Sequence, residues 1–107
     1  MYPDDYLIEK LESAVYELVV GEGDARSRVG EGYYKFWTIG VDNYPEHLQS
    51  KRRKIDELLT RLPAEEGAII PSNLRRMKNK TASKIALLIY ELCFEMNEYV
   101  LGKKHIT

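Results

Sequence analysis

Residues 81–101 are apolar nearly all the way round a helix, and a helix of that kind has to be covered on two sides. Placed at about 100° per residue, Ile85, Leu88, Ile89, Leu92, Cys93, Met96, Tyr99 and Val100 share one broad face. That face alone would satisfy a bundle core. On the opposite side Leu87, Tyr90, Phe94 and Leu101 recur at a heptad-like spacing. Only a narrow strip stays polar, carrying Lys84, Glu91, Glu95 and Glu98. Such a helix is either the centre of its own monomer, wrapped by elements such as residues 63–78, or it pairs with another chain. A chain of 107 residues has few elements with which to wrap a central helix. The expectation is therefore a symmetric homodimer through Leu87, Tyr90, Phe94 and Leu101.

Helical spacing of apolar residues extends through most of the chain. Leu7, Ile8, Leu11, Ala14, Val15, Leu18 and Val19 line one face of a first helix, with Asp4 or Asp5 as its cap and Gly21 as its stop. Asp24 is placed to cap a second helix over 24–40, whose Ala25, Val29, Tyr33, Phe36 and Trp37 align. Gly30 and Gly32 weaken that helix by about 1 kcal/mol each, or let a neighbouring backbone come close. Pro45 suits a first helical position, and the third helix buries Leu48, Ile55, Leu58, Leu59 and Leu62 before Pro63 ends it. After an irregular stretch over 63–71, Ser72 caps a short helical turn over 72–77, and Thr81 caps the last helix, which ends near Gly102. No alternating strand pattern of useful length occurs. The expected fold is all-α, a single helical domain over residues 1–107. Its architecture is an up-and-down four-helix bundle with a short extra helical turn before the last helix.

Composition narrows the compartment and the chemistry. An apolar share of 44% and a charged share of 31% belong to an ordinary globular protein. Cys93 is the one cysteine, so no internal disulfide can form, and the acidic N-terminus lacks the basic and apolar regions of a signal peptide. No apolar run approaches the roughly 20 residues needed to cross a bilayer. A cytoplasmic protein without membrane contact is expected. Charge is unevenly spread: residues 1–50 hold four Lys/Arg against ten Asp/Glu, and residues 51–107 hold twelve against seven. Packing of oppositely charged hairpins against each other is the expected reason, and a basic face for an acidic partner is the alternative.

The layout resembles a group of small uncharacterised bacterial all-helical proteins. The resemblance is carried by Gly21-Glu22-Gly23-Asp24-Ala25-Arg26-Ser27-Arg28 after the first helix and by Asp42-Asn43-Tyr44-Pro45 before the third. Ser72-Asn73-Leu74-Arg75-Arg76-Met77 ahead of the last helix adds to it. It covers most of the chain. The group carries no established activity, so the resemblance transfers no functional residue.

Sites for chemistry are few. Lys51, Arg53 and Lys54 with Arg75 and Arg76 are candidate nucleic-acid contacts. Consecutive helical residues point to four quadrants, however, and Arg52 with Asp56 and Arg53 with Glu57 stand at pairing distance. A sequence pI near 6.1 also disfavours general phosphate binding, so nucleic acid is the alternative partner and not the expected one. The 21–26 stretch looks like a phosphate loop but has no preceding strand and no P-loop lysine. Arg28 is placed to pair with Asp24 one turn earlier. Arg26 and Arg52 fall on the edges of apolar faces. There they snorkel to water, or they gather with Glu22 or Glu17 in a small polar cleft for an acidic ligand. His47 and His105 are the only histidines, and neither belongs to a metal-binding or di-iron spacing. Cys93 lies within an apolar face, where a thiol is packing. No cofactor and no catalysis are expected. The best-supported reading is a self-associating protein–protein interaction module.

Overall fold

A computed structural model describes residues 2–106, with side chains placed through Lys103. Every regular element among the described residues is helical: α1 (Asp4–Val20), α2 (Ala25–Phe36), a 3-10 turn (Val41–Asn43), α3 (Glu46–Leu59), α4 (Ile69–Arg76) and α5 (Asn79–Ile106). The chain is all-α.

The apolar periodicities build one core. Leu7, Leu11 and Ala14 of α1 join Val29, Tyr33 and Phe36 of α2, and Leu48, Ile55, Leu58 and Leu59 of α3. Ala82, Ile85, Ile89, Leu92, Cys93 and Met96 of α5 close it, with Ile70 and Leu74 of α4 half-buried at its edge. The last helix packs on α1, α2 and α3 alike. Its 28 residues make a rod of about 42 Å, close to the 47 Å long axis of the molecule. Among the described residues no helix is long and apolar enough to cross a membrane.

Helix ends depart from expectation for local reasons. The cap of α1 is Pro3, whose carbonyl accepts from the Leu7 amide at 3.2 Å, so Asp4 and Asp5 sit in the first turn against the positive end of the dipole. Asp24 does cap α2, its side chain accepting from the Ser27 amide at 3.1 Å. That helix stops at Phe36, four residues before Gly40, and leads into a loop whose Ile39 and Tyr44 are buried. The third helix stops at Leu59, leaving Leu62 exposed and not in the core. Leu62 is held by its backbone instead. Buried Asn73 accepts from its amide and donates to its carbonyl, both at 2.9 Å, and donates to the Ile69 carbonyl at 2.8 Å. The fourth helix begins at Ile69, not at Ser72. Pro71 falls in its first turn, where a missing amide hydrogen is tolerated. The fifth begins at Asn79, ahead of Thr81, and runs through Gly102.

The two glycines of α2 allow close approach on two sides. A β-carbon on Gly30 would stand 2.8 Å from Leu74 Cδ1 of α4, and one on Gly32 would stand 3.2 Å from the Ala14 carbonyl of α1. Positive φ at Gly23, 88°, turns the chain between α1 and α2.

Candidate interaction face of the last helix

The last helix has two unlike apolar faces. Toward the core Ile85, Ile89, Leu92 and Met96 have no exposure at all. On the outside Leu87, Tyr90, Phe94 and Leu101 are each between 51% and 56% exposed. The 63–78 segment leaves this outer stripe uncovered, because α4 packs on α2 and α3 instead. Tyr90 and Phe94 stack with ring centroids 6.4 Å apart. One edge of the stripe is charged. Lys51 of α3 pairs with Glu95 and lies 3.6 Å from Glu91, and the bond to Glu95 raises the lysine pKa. A shallow hollow of about 370 Å³ lies here among Lys51, Tyr90, Phe94 and Glu98. The other edge carries half-buried Ala86 and buried Cys93. Burial pushes the Cys93 thiol up to about 11, which keeps it protonated and poorly nucleophilic at neutral pH. Asn97 interrupts the stripe, its amide donating back to the Cys93 carbonyl at 2.9 Å.

The arginine cluster is not formed. Arg52 and Arg26 share no partner, and neither contacts Glu17 or Glu22; Glu17 instead faces Lys35 at 3.8 Å. Arg52 does not snorkel. It is 2% exposed, pairs with Asp56, and donates to the carbonyls of Trp37 and Ile39 at 3.2 and 3.3 Å, closing the frayed end of α2. The rings of Tyr33, Phe36 and Tyr44 surround the guanidinium at 5.6, 5.3 and 5.8 Å. Burial is the largest single influence and works against its charge, but Asp56, Tyr44 and Tyr33 together outweigh it and the arginine pKa is raised. Tyr33 donates to Asp56 at 2.9 Å, and burial pushes both Tyr33 and Tyr44 up to about 12.

Arg26 repeats the device at the surface. It pairs with Asp24 at 2.8 Å and donates to the carbonyls of Arg75 and Met77 at 3.3 and 3.4 Å, at the C-terminal end of α4. Asp24 therefore takes Arg26 and not Arg28 as its ion-pair partner. The Ser27 amide and Arg26 together lower the Asp24 pKa. Beside this clasp an open cleft of about 840 Å³ lies between α2 and α4, lined by Gly30, Glu31, Tyr34, Leu74 and Arg75 among others.

The remaining basic residues go to separate partners. Lys51 turns to α5, Lys54 to Glu57 at 3.4 Å, and Arg53 to Gln49 at 3.2 Å where Glu57 was expected. Arg76 donates to the Ser72 and Pro63 carbonyls, while Arg75 lines the cleft. His47 packs on Tyr99 at 5.6 Å, and the side chain of His105 lies outside the described ones. Among the described residues no three His, Cys, Asp or Glu side chains form a metal-holding group.

Comparison with protein-family models, curated proteins and solved structures finds no match to this chain. The functional reading thus rests on the chain's own surface.

Proposed function

We propose that this chain is a small helical interaction module that self-associates through the outer face of α5, with its four long helices arranged as an up-and-down bundle. The observation that carries the first part is the stripe of Leu87, Tyr90, Phe94 and Leu101, exposed along one of the longest elements of the molecule. Apolar side chains are exposed elsewhere too, but Tyr16 of α1 sits among Glu9, Glu12, Glu17 and Lys35. Of α5's own side chains, charged ones flank the stripe along one edge only. Two large rings and two leucines on a rod-like helix suit a flat, isologous contact.

Contacts between opposite ends of helices support the bundle arrangement. Asp4 at the start of α1 meets Lys103 near the end of α5, at 2.9 Å. His47 at the start of α3 packs on Tyr99, while Lys51 further along α3 pairs with Glu95 earlier in α5.

Sedimentation of Phe94→Glu beside the wild type tests the module. Wild type is expected to sediment as a dimer at micromolar concentration and the variant as a monomer. Equal mass for both would overturn self-association through this face.

A further inference from the structure

We infer that the two copies pair antiparallel along α5, about a two-fold axis level with Leu92, with Lys84 of each copy facing Glu98 of the other. The inference rests on the self-association proposed above and adds its direction and register.

The two edges of the stripe decide the direction. One edge is charged, with Lys84, Glu91 and Glu98 at successive heptad positions. The other carries no charge of α5's own, with Ala86 and Cys93, and Glu12 of α1 stands near enough to Cys93 to help raise its pKa. When two identical helices pair in parallel, the charged edge of one lies against the apolar edge of its partner, which desolvates charge without compensation. Turning one helix end for end sets charged edge on charged edge and apolar edge on apolar edge. Only the antiparallel arrangement matches like surroundings on both sides.

The register follows from the spacing. An axis level with Leu92 places Tyr90 of one copy on Phe94 of the other, Leu87 on Asn97, and Leu101 on Ser83, a small exposed residue. The same axis sets Lys84 within two residues of Glu98 on the partner, an axial offset of about 3 Å that a lysine spans easily. Symmetry makes that pair twice. Lys84 and Glu98 are both exposed, and neither makes an ion pair or hydrogen bond among the described residues. Their charges are available to a second copy, whereas Glu91 and Glu95 are already engaged by Lys51.

Charge exchange tests the register. In low salt, sedimentation equilibrium of Lys84→Glu alone and of Glu98→Lys alone is expected to show dimers weakened about three- to tenfold, because each carries two like-charge contacts. An equimolar mixture of the two variants is expected to regain wild-type affinity, as is the doubly exchanged chain. Singles that dimerise like wild type, or a mixture no tighter than its components, would overturn the register. Disulfide trapping tests the direction: Ser83→Cys mixed with Leu101→Cys is expected to cross-link, and Leu101→Cys alone is not. Efficient self-cross-linking of Leu101→Cys would show parallel helices. If wild type dimerises and Phe94→Glu does not, while these arms fail, direction and register are wrong and self-association stands. If wild type is itself monomeric, both fall together.

Discussion

Arg52 and Arg26 each pair with an aspartate nearby in sequence and donate to two carbonyls of a distant segment, yet one side chain is 2% exposed and the other 38%. Both finish a stretch of helix that ends with unsatisfied oxygens: Arg52 at the end of α2, Arg26 at the end of α4. The surroundings set what the same bonds are worth. Around Arg52 three aromatic rings exclude water, so the Trp37 and Ile39 carbonyls depend on the guanidinium, while Asp56 also holds the Tyr33 hydroxyl. Around Arg26 water can replace it at each position. A motif of identical chemistry is thus a keystone in one place and a trim in the other.

Removing the keystone should have the largest effect. Arg52→Ala is expected to lower stability by about 3 kcal/mol in urea unfolding, since it strands the Trp37 and Ile39 carbonyls, takes the counter-charge from Asp56 and empties the space between three rings. A loss under about 1 kcal/mol would show that the rings and not the charge hold this region. Alkaline titration sharpens the same point. Tyr33 and Tyr44 have folded pKa values near 12, above the ordinary 10.0, so they favour the folded state below pH 10 and withdraw that support as pH rises toward 12. Ultraviolet absorbance should therefore show two tyrosines ionising late, together with unfolding. The smallest effect is expected from Arg26→Ala, about 1 kcal/mol or less. Acid should narrow that difference further. The lowered Asp24 pKa supports the fold above its ordinary value of 3.8, and the support is lost as pH falls through the lowered value. Asp24→Asn should flatten the acid limb of the stability curve, measured by thermal unfolding between pH 2 and 5.

The sequence made the helical class and, except for exposed Val19 and Leu62, the buried faces of α1, α3 and α5 legible, because amphipathic spacing is a property of side chains and side chains are what a sequence records. Asp24 as a cap and Arg52 with Asp56 as a pair were legible for the same reason: each is a local relation of at most four residues. The ends of α2 and α3 were not. Phe36 and Leu59 end their helices because tertiary partners, Arg52 and Asn73, take the backbone groups beyond them. A carbonyl looks alike in every residue and leaves no mark in a pattern. That also explains why snorkelling, or a shared cluster, was what the sequence offered for Arg26 and Arg52. Their shared position at the edge of an apolar face was visible, but the separate carbonyls that claim them were not. The doubt over Gly30 and Gly32 was resolved by neighbours alone.

Those two glycines set local helicity against global fit. Gly30 and Gly32 lie on nearly opposite sides of α2, one facing Leu74 and the other the Ala14 carbonyl, so together they fix how thin this helix is between α4 and α1. A designer seeking a stronger helix would place alanine at both and gain roughly 2 kcal/mol of intrinsic propensity. The leucine tip opposite Gly30 can swing aside, whereas the backbone oxygen opposite Gly32 cannot move without carrying α1 with it. The first exchange is a candidate for engineering and the second is not. Two positions of one residue type, two apart, therefore belong to different design rules.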